Sequence, residues 1–194
     1  MLNIVIFGAP GAGKGTQSNL IIKKYGLLHI STGEILRKEI ANKTELGLVA
    51  EKYINKGKLV PDQLIVDVFA ELIDQSENEK GYIFDGFPRT LSQAKALDEM
   101  LRERKTSVAT VFNLSVNEDE LIERLLKRGE ECGRCDDRIE VIQNRLNVYK
   151  EQTEPVKEYY KKKGKLFTIK GVGSIDDIFE EITEVIDRIS NIKD

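Results

Sequence analysis

The stretch IVIFGAPGAGKGTQ, residues 4–17, constrains this chain more than any other. An apolar run with the character of a core strand breaks into glycines at positions 8, 11, 13 and 15, with Lys14 among them. From Gly8 to Lys14 the spacing is G-x-x-x-x-G-K, and a helical pattern follows. Strand, glycine loop and helix in that order make an anion cradle. Glycines reach positive φ and let backbone N–H groups come close to a ligand, and the free end of the next helix adds its own N–H groups. The lysine reaches phosphate oxygens as a point charge. Gly15 stands directly after the lysine, and the hydroxyl comes one position later, at Thr16.

Short apolar runs alternate with helical patterns along the rest of the chain. Strands are expected at 2–7, 27–30, 81–84, 108–114 and 165–170. A helix is expected from Lys14 to Tyr25, closed by Gly26. Another runs from an Asn117 cap to Gly129, and a third begins at Ser174. Strand–helix alternation predicts an α/β fold: a five-stranded parallel sheet of the P-loop NTPase type with helices on both faces. Ligands of such sheets sit beyond the carboxyl ends of the strands. Two segments do not fit simple crossovers, a helical one at 31–61 and a short polar one at 128–137; both read as excursions from the sheet.

The chain has 194 residues, which suits one domain. Its net charge of −3 comes from acids and bases mixed along the sequence, without the strong positive field of a nucleic-acid binder. No apolar run approaches the roughly 18 residues that span a bilayer, so no membrane association is expected. The N-terminus reads as a core strand rather than a leader, and a cytoplasmic protein is expected. Two cysteines, Cys132 and Cys135, are too few for a disulfide framework, and a single histidine, His29, excludes a mechanism built on several.

A second site follows the third strand. Asp85 ends an apolar run and precedes Gly86, Phe87, Pro88 and Arg89. An acid there, beside a phosphate loop, can hold Mg²⁺ through water. Arg89 offers a rigid fork for phosphate. Arg37, Arg124, Arg128, Arg134 and Arg145 lie in or beside the two excursions. Phosphoryl transfer needs two charged substrates held in line and the charge on the transferring group neutralised, a task for convergent arginines.

In order, the segments GAPGAGKGTQ (8–17), ISTGEILR (30–37), GKLVPD (57–62), DGFPRTLSQ (85–93), ERLLKRG (123–129), GRCDDR (133–138), NRL (144–146) and TEPV (153–156) resemble the nucleoside monophosphate kinases, specifically the short-lid adenylate kinases. The resemblance covers essentially the whole chain. It implies reversible Mg²⁺-dependent transfer of the terminal phosphoryl of ATP to AMP, giving two ADP, in a monomer. It implies a core of 1–30, 61–127 and 138–194, an AMP-binding lobe of 31–60 and a lid of 128–137. Gly11, Ala12, Gly13, Lys14, Gly15 and Thr16 would hold the ATP phosphates, and Lys14 would follow the transferring group. Arg124 would stack on the ATP base, Arg128 would meet its phosphates, and the Gly173 carbonyl would contact the base. Thr32, Arg37, Lys58, Leu59 and Val60 match AMP contacts of the lobe. Gly86, Phe87, Pro88 and Arg89 would bind the AMP phosphate and ribose side, and Gln93 would read the adenine edge. Arg134 and Arg145 would clamp the transferring group, and Asp136 and Asp137 would help close the site. Asp85 would organise the Mg²⁺ shell.

Some relatives carry a longer lid with four metal ligands. Cys132 and Cys135 supply half of such a set, so no structural zinc is expected; a reversible Cys132–Cys135 disulfide is the alternative to two plain lid residues. His29 is expected to pack beside the second strand. Gly47, Gly57, Gly129 and Gly133 are expected to help the lobes move. Two other readings compete with adenylate kinase. A pyrimidine monophosphate kinase is disfavoured by Thr32 and by the Thr90–Gln93 segment. A nucleotide switch is disfavoured by the second lobe and by Gly15 after the lysine.

Overall fold

The computed structural model describes residues 1–76, 80–134 and 136–191. Its strands are β1 (Asn3–Gly8), β2 (Leu28–Ser31), β3 (Tyr82–Asp85), β4 (Val108–Ser115) and β5 (Leu166–Lys170). They form one parallel sheet in the order β2-β3-β1-β4-β5. The helices are α1 (Lys14–Tyr25), α2 (Thr32–Ala41), α3 (Glu45–Ile54), α4 (Asp62–Gln75), α5 (Leu91–Glu103), α6 (Glu118–Cys132), α7 (Ile139–Val148), α8 (Glu154–Lys162) and α9 (Ile175–Asn191). A π-helical turn, Tyr149–Thr153, joins α7 to α8.

The central strand β1 is buried throughout. Its side chains alternate between the faces of the sheet, as a pleated strand requires. Val5 and Phe7 join a core with Phe69, Phe84, Leu97 and Tyr160. Ile4 and Ile6 join a core on the other face with Ile21, Phe112, Leu125 and Ile182. β1 therefore sits between two helical layers, and the loop that leaves its carboxyl end is held from both sides.

Local signals set most helix ends. Gly26 takes a φ of 69° and donates its N–H to the Ile22 carbonyl at 2.8 Å, closing α1. Asn117 Oδ1 accepts the Glu120 N–H at 2.9 Å, and Ser174 Oγ accepts the Asp177 N–H at 3.1 Å. α6 departs from expectation at its far end. It passes through Gly129, continues to Cys132 and closes at Gly133, whose φ is 62°. Gly129 has a different reason to be glycine: a Cβ there would stand 3.1 Å from the Asp137 Cβ. Residues 128–132 are thus the end of a helix that brings Arg128 alongside Asp137.

Gly47 is likewise a packing residue. α2 and α3 cross so closely there that a Cβ on Gly47 would stand 2.2 Å from the Glu39 carbonyl oxygen. Gly47→Ala should therefore cost about 3 kcal/mol by forcing two backbones apart. A thermal melt followed by circular dichroism should show a clearly lower midpoint; an unchanged midpoint would mean that the two helices separate freely and that Gly47 belongs to a hinge after all.

Candidate active site

The loop after β1 turns at Gly11 and Gly13, whose φ values are 87° and 90°, and Gly13 begins α1. At Gly11 the backbone also lies against α6, where a Cβ would meet the Leu121 carbonyl and the Leu125 Cγ at 3.0 Å each. Lys14 folds back over this loop and donates to the Gly8 and Ala9 carbonyls at 2.8 and 3.1 Å. Burial pushes its ammonium down, Asp85 pulls it back up, and Arg89, Arg145 and Arg128 push it down again, leaving it at about 8.

Two cavities open beyond the carboxyl ends of the strands. The smaller, about 130 Å³, is lined by Thr32, Lys58, Leu59, Val60, Gly86, Pro88, Gln93 and Asp136 among others. The larger, about 540 Å³, runs over the glycine loop and is lined by Gly11, Ala12, Gly13, Gly15, Thr16, Asp85, Arg124, Arg128, Arg134 and Gly173. Lys14, Arg37, Arg89 and Arg145 line both. The cavities thus meet at a wall of four cations, a place for a group carrying several negative charges. The same crowding acts on the cations themselves. Burial first, then Arg145 and Arg37, lower the Arg89 guanidinium to about 10. Burial and Arg134 lower Arg37.

The acids at 136 and 137 anchor Arg145 of this wall and its neighbour Arg128. Asp137 accepts Arg128 Nε and Nη2 at 2.7 Å each and Arg145 Nη1 at 2.8 Å. Its side chain is fully buried. Burial raises its carboxyl, but Arg128 and Arg145 outweigh that and hold it below the usual carboxylate range. Asp136 pairs with Arg145 at 2.9 Å. Arg89 Nε donates to the Gly86 carbonyl at 2.8 Å, and Thr32 Oγ1 donates to the same carbonyl at 3.0 Å. Arg124 pairs with Glu120 and donates to the Gly171 carbonyl at 3.1 Å. Asp85 lies 3.8 Å from His29 Nε2 and faces Gly15. Burial raises its carboxyl, while His29, Lys14 and Arg89 bring it below the ordinary value.

Several residues singled out in the sequence lie elsewhere than in a cavity wall. Phe87 is fully buried and packs on Phe69, with ring centroids 4.1 Å apart, so it seats the Gly86–Arg89 turn from behind. Asp137 stands behind the arginines it pairs with. Cys132 is exposed on the last turn of α6, and its pairing with Cys135 lies outside the described residues. Arg134, expected at AMP and at the transferring group, lines only the larger cavity. His29 is half-buried on β2 between Asp85 and Glu34. Sequence reasoning missed Asp62, which binds Thr90 and Gln93, and Tyr149 and Thr153, which line the smaller cavity from the π-helical turn. An acid at the first position of a helix is so common that nothing marks Asp62, and no sequence signal announces a π turn.

A profile of the adenylate kinase family matches residues 6–165. The chain belongs to the adenylate kinase family. It is 64% identical to the adenylate kinase of Azobacteroides pseudotrichonymphae over 189 residues, 97% of this chain and 99% of that one. The adenylate kinases of Parabacteroides distasonis and Bacteroides fragilis are 58% and 55% identical, each over 97% of this chain and the whole of the other. An adenylate kinase needs two nucleotide sites that share one phosphoryl group, and in this chain two cavities share a wall of four cations.

Proposed function

We propose that ATP lies over the glycine loop in the larger cavity, that AMP lies in the smaller one, and that the cations between them carry the phosphoryl group across. The chain is a nucleoside monophosphate kinase, and its reaction is transfer of the terminal phosphoryl group of ATP to AMP, giving two ADP. The observation that carries the assignment is the shared wall: Lys14, Arg37, Arg89 and Arg145 line both cavities. Two polyanions can approach each other only where their charge is neutralised, and fixed cations do this without reorganising at the moment of transfer.

The loop amides from Gly11 to Thr16 hold the ATP phosphates. Lys14 gives up its two carbonyl partners and turns to the transferring oxygens. Arg89 and Arg37 take the AMP phosphate, and Arg128, Arg134 and Arg145 clamp the transferring group. Arg124 and the Gly173 carbonyl face the donor base. Thr32, Lys58, Leu59, Val60 and Gln93 surround the acceptor nucleoside. Asp85 fits Mg²⁺: a single low-lying carboxylate at a strand end offers a hard oxygen ligand, directly or through water. When bound, Mg²⁺ neutralises charge on the donor phosphates. Among the described residues no three His, Cys, Asp or Glu side chains converge on a metal position, which suits an ion held largely by phosphate and water.

The lobe 31–60 and the lid 128–137 close over the core formed by 1–30, 61–127 and 138–194. Closure excludes water, which competes with AMP as the acceptor. One chain completes both cavities, so a monomer suffices. Its work is placed in the cytoplasm; among the described residues no helix is long and apolar enough to cross a membrane.

Phosphoryl transfer from Mg-ATP to AMP, UMP, CMP or no acceptor, run in parallel, tests the assignment. AMP-specific formation of ADP is expected. Preference for a pyrimidine acceptor would overturn the reading of the smaller cavity. Arg89→Ala should cut kcat/KM for AMP about a hundredfold while shifting the ATP KM little. Equal losses on both nucleotides would count against placing Arg89 at the acceptor phosphate.

A further inference from the structure

Gln93 is buried and lines the smaller cavity. Two contacts fix its amide. Its Oε1 accepts the Arg89 backbone N–H at 2.7 Å, and its Nε2 donates to Asp62 Oδ1 at 2.8 Å. A backbone N–H only donates and a carboxylate only accepts, so both neighbours demand the same orientation. One amide N–H and one lone pair are left over. The lock has a third member. Thr90 Oγ1 accepts the Gln93 backbone N–H at 3.2 Å as the cap of α5, and its hydroxyl donates to Asp62 Oδ2 at 2.7 Å. Both Asp62 oxygens are thus engaged. Asp62 itself lines neither cavity.

We infer that Asp62 is a positioning residue for acceptor choice: by locking the Gln93 amide in one orientation, it sets the enzyme for a 6-aminopurine monophosphate over a 6-oxopurine one. The inference rests on the reading above that the smaller cavity takes AMP and that Gln93 meets its base. At its N1–C6 edge, adenine donates from N6 and accepts at N1. Hypoxanthine accepts at O6 and donates from N1–H. The two edges are mirror images in hydrogen-bonding terms, and a free carboxamide reads either one by turning over. Here, turning over would set the Gln93 carbonyl against a carboxylate and its NH₂ against an N–H. Each is a lost bond, and one is charge-assisted. A site built around fixed polar groups rejects the wrong edge far better than a shape-only pocket. Asp62 is also the first residue of α4, separated from Lys58–Val60 only by Pro61, so the lock stands where the lobe rejoins the core.

Asp62→Asn is the decisive variant because it preserves shape. The new carboxamide keeps the Thr90 hydroxyl proton bonded only with its oxygen toward Thr90, and that orientation turns its NH₂ to Gln93. The Gln93 amide then meets donors on both sides and loses its single orientation. The ratio of kcat/KM for AMP to that for IMP should fall about tenfold or more, with the ATP KM changed less than about twofold. Asp62→Ala, which removes the lock without adding a donor, should lower the same ratio by a smaller factor. A merely structural role would reduce AMP and IMP use alike, so an unchanged ratio in both variants would overturn the inference. Gln93→Ala separates the two layers. If it leaves the AMP-to-IMP ratio unchanged, Gln93 does not meet the base, and the inference falls with that reading. If it collapses the ratio while both Asp62 variants keep it, the reading of Gln93 stands and the role of Asp62 alone is refuted.

Discussion

Lys14→Met should lower turnover about a thousandfold and yield a more stable protein. The loss follows from position. Lys14 lies at the junction of the two cavities, and methionine keeps much of its volume but not its charge. The gain in stability follows from the burial and crowding of the ammonium. The ammonium is held at about 8 because burial and three arginines disfavour it, and its two carbonyl contacts do not make good the difference. In the unfolded chain a lysine titrates near 10.4. Below pH 8 both states carry the proton, and the folded state bears the full cost of a crowded charge. Between about 8 and 10.4 the unfolded state binds more protons than the folded one, so wild-type stability rises with pH in that window. Removing the charge should therefore add about 1–2 kcal/mol at pH 7, a figure discounted for the partial exposure of the side chain. The advantage of Lys14→Met should shrink as pH passes from 8 toward 10. Thermal melts of both proteins at pH 7 and pH 9.5, beside a coupled assay of ADP formation, read all three effects. Near-normal turnover would remove Lys14 from the chemistry. A lower melting point at pH 7 would mean that its carbonyl contacts outweigh its repulsion.

What the sequence revealed about this site depended on whether a residue acts alone or through others. The glycine loop was legible because each of its residues answers a local demand: a positive φ, a close backbone, the start of a helix. Asn117, Ser174 and Gly26 were legible as caps for the same reason. Gly129 misled because a glycine near a helix end looks the same whether it ends the helix or clears space for Asp137, and only tertiary packing tells which. Gly47 is the same case between α2 and α3. Phe87 shares a turn with Gly86 and Arg89, yet its side chain leaves that turn for the core. Asp62 reaches the site through Thr90 and Gln93, 28 and 31 positions away, and no local pattern carries such a link.

Asp137 makes the cost of such links measurable. Asp137→Asn keeps the volume of the side chain and removes its charge from between Arg128 and Arg145. The pair is nearly withdrawn from water on the acid side, and the arginines are left facing Lys14, Arg37 and Arg89 with less to hold them. Stripping one partner from a buried ion pair costs about 3 kcal/mol. The sign with pH follows from the lowered carboxyl. The contribution of Asp137 is fully present above the unfolded carboxylate value of about 3.9 and is lost as pH falls through the still lower folded value, so the stability gap between the two proteins should hold from pH 7 to about 5 and close in stronger acid. Turnover should fall about a hundredfold, because arginines that no longer share one fixed anchor do not meet the transferring group in register. Binding should move the other way. Released guanidinium groups take up an anion more readily, so inorganic tripolyphosphate should raise the melting point of Asp137→Asn more than that of the wild type. Calorimetric titration with tripolyphosphate and a steady-state assay together decide the matter. Tighter anion binding with slower turnover means that Asp137 spends its charge on holding the arginines in the geometry of transfer. Weaker binding with slower turnover would mean that the arginines collapse without it and that the carboxylate builds the site rather than tuning it.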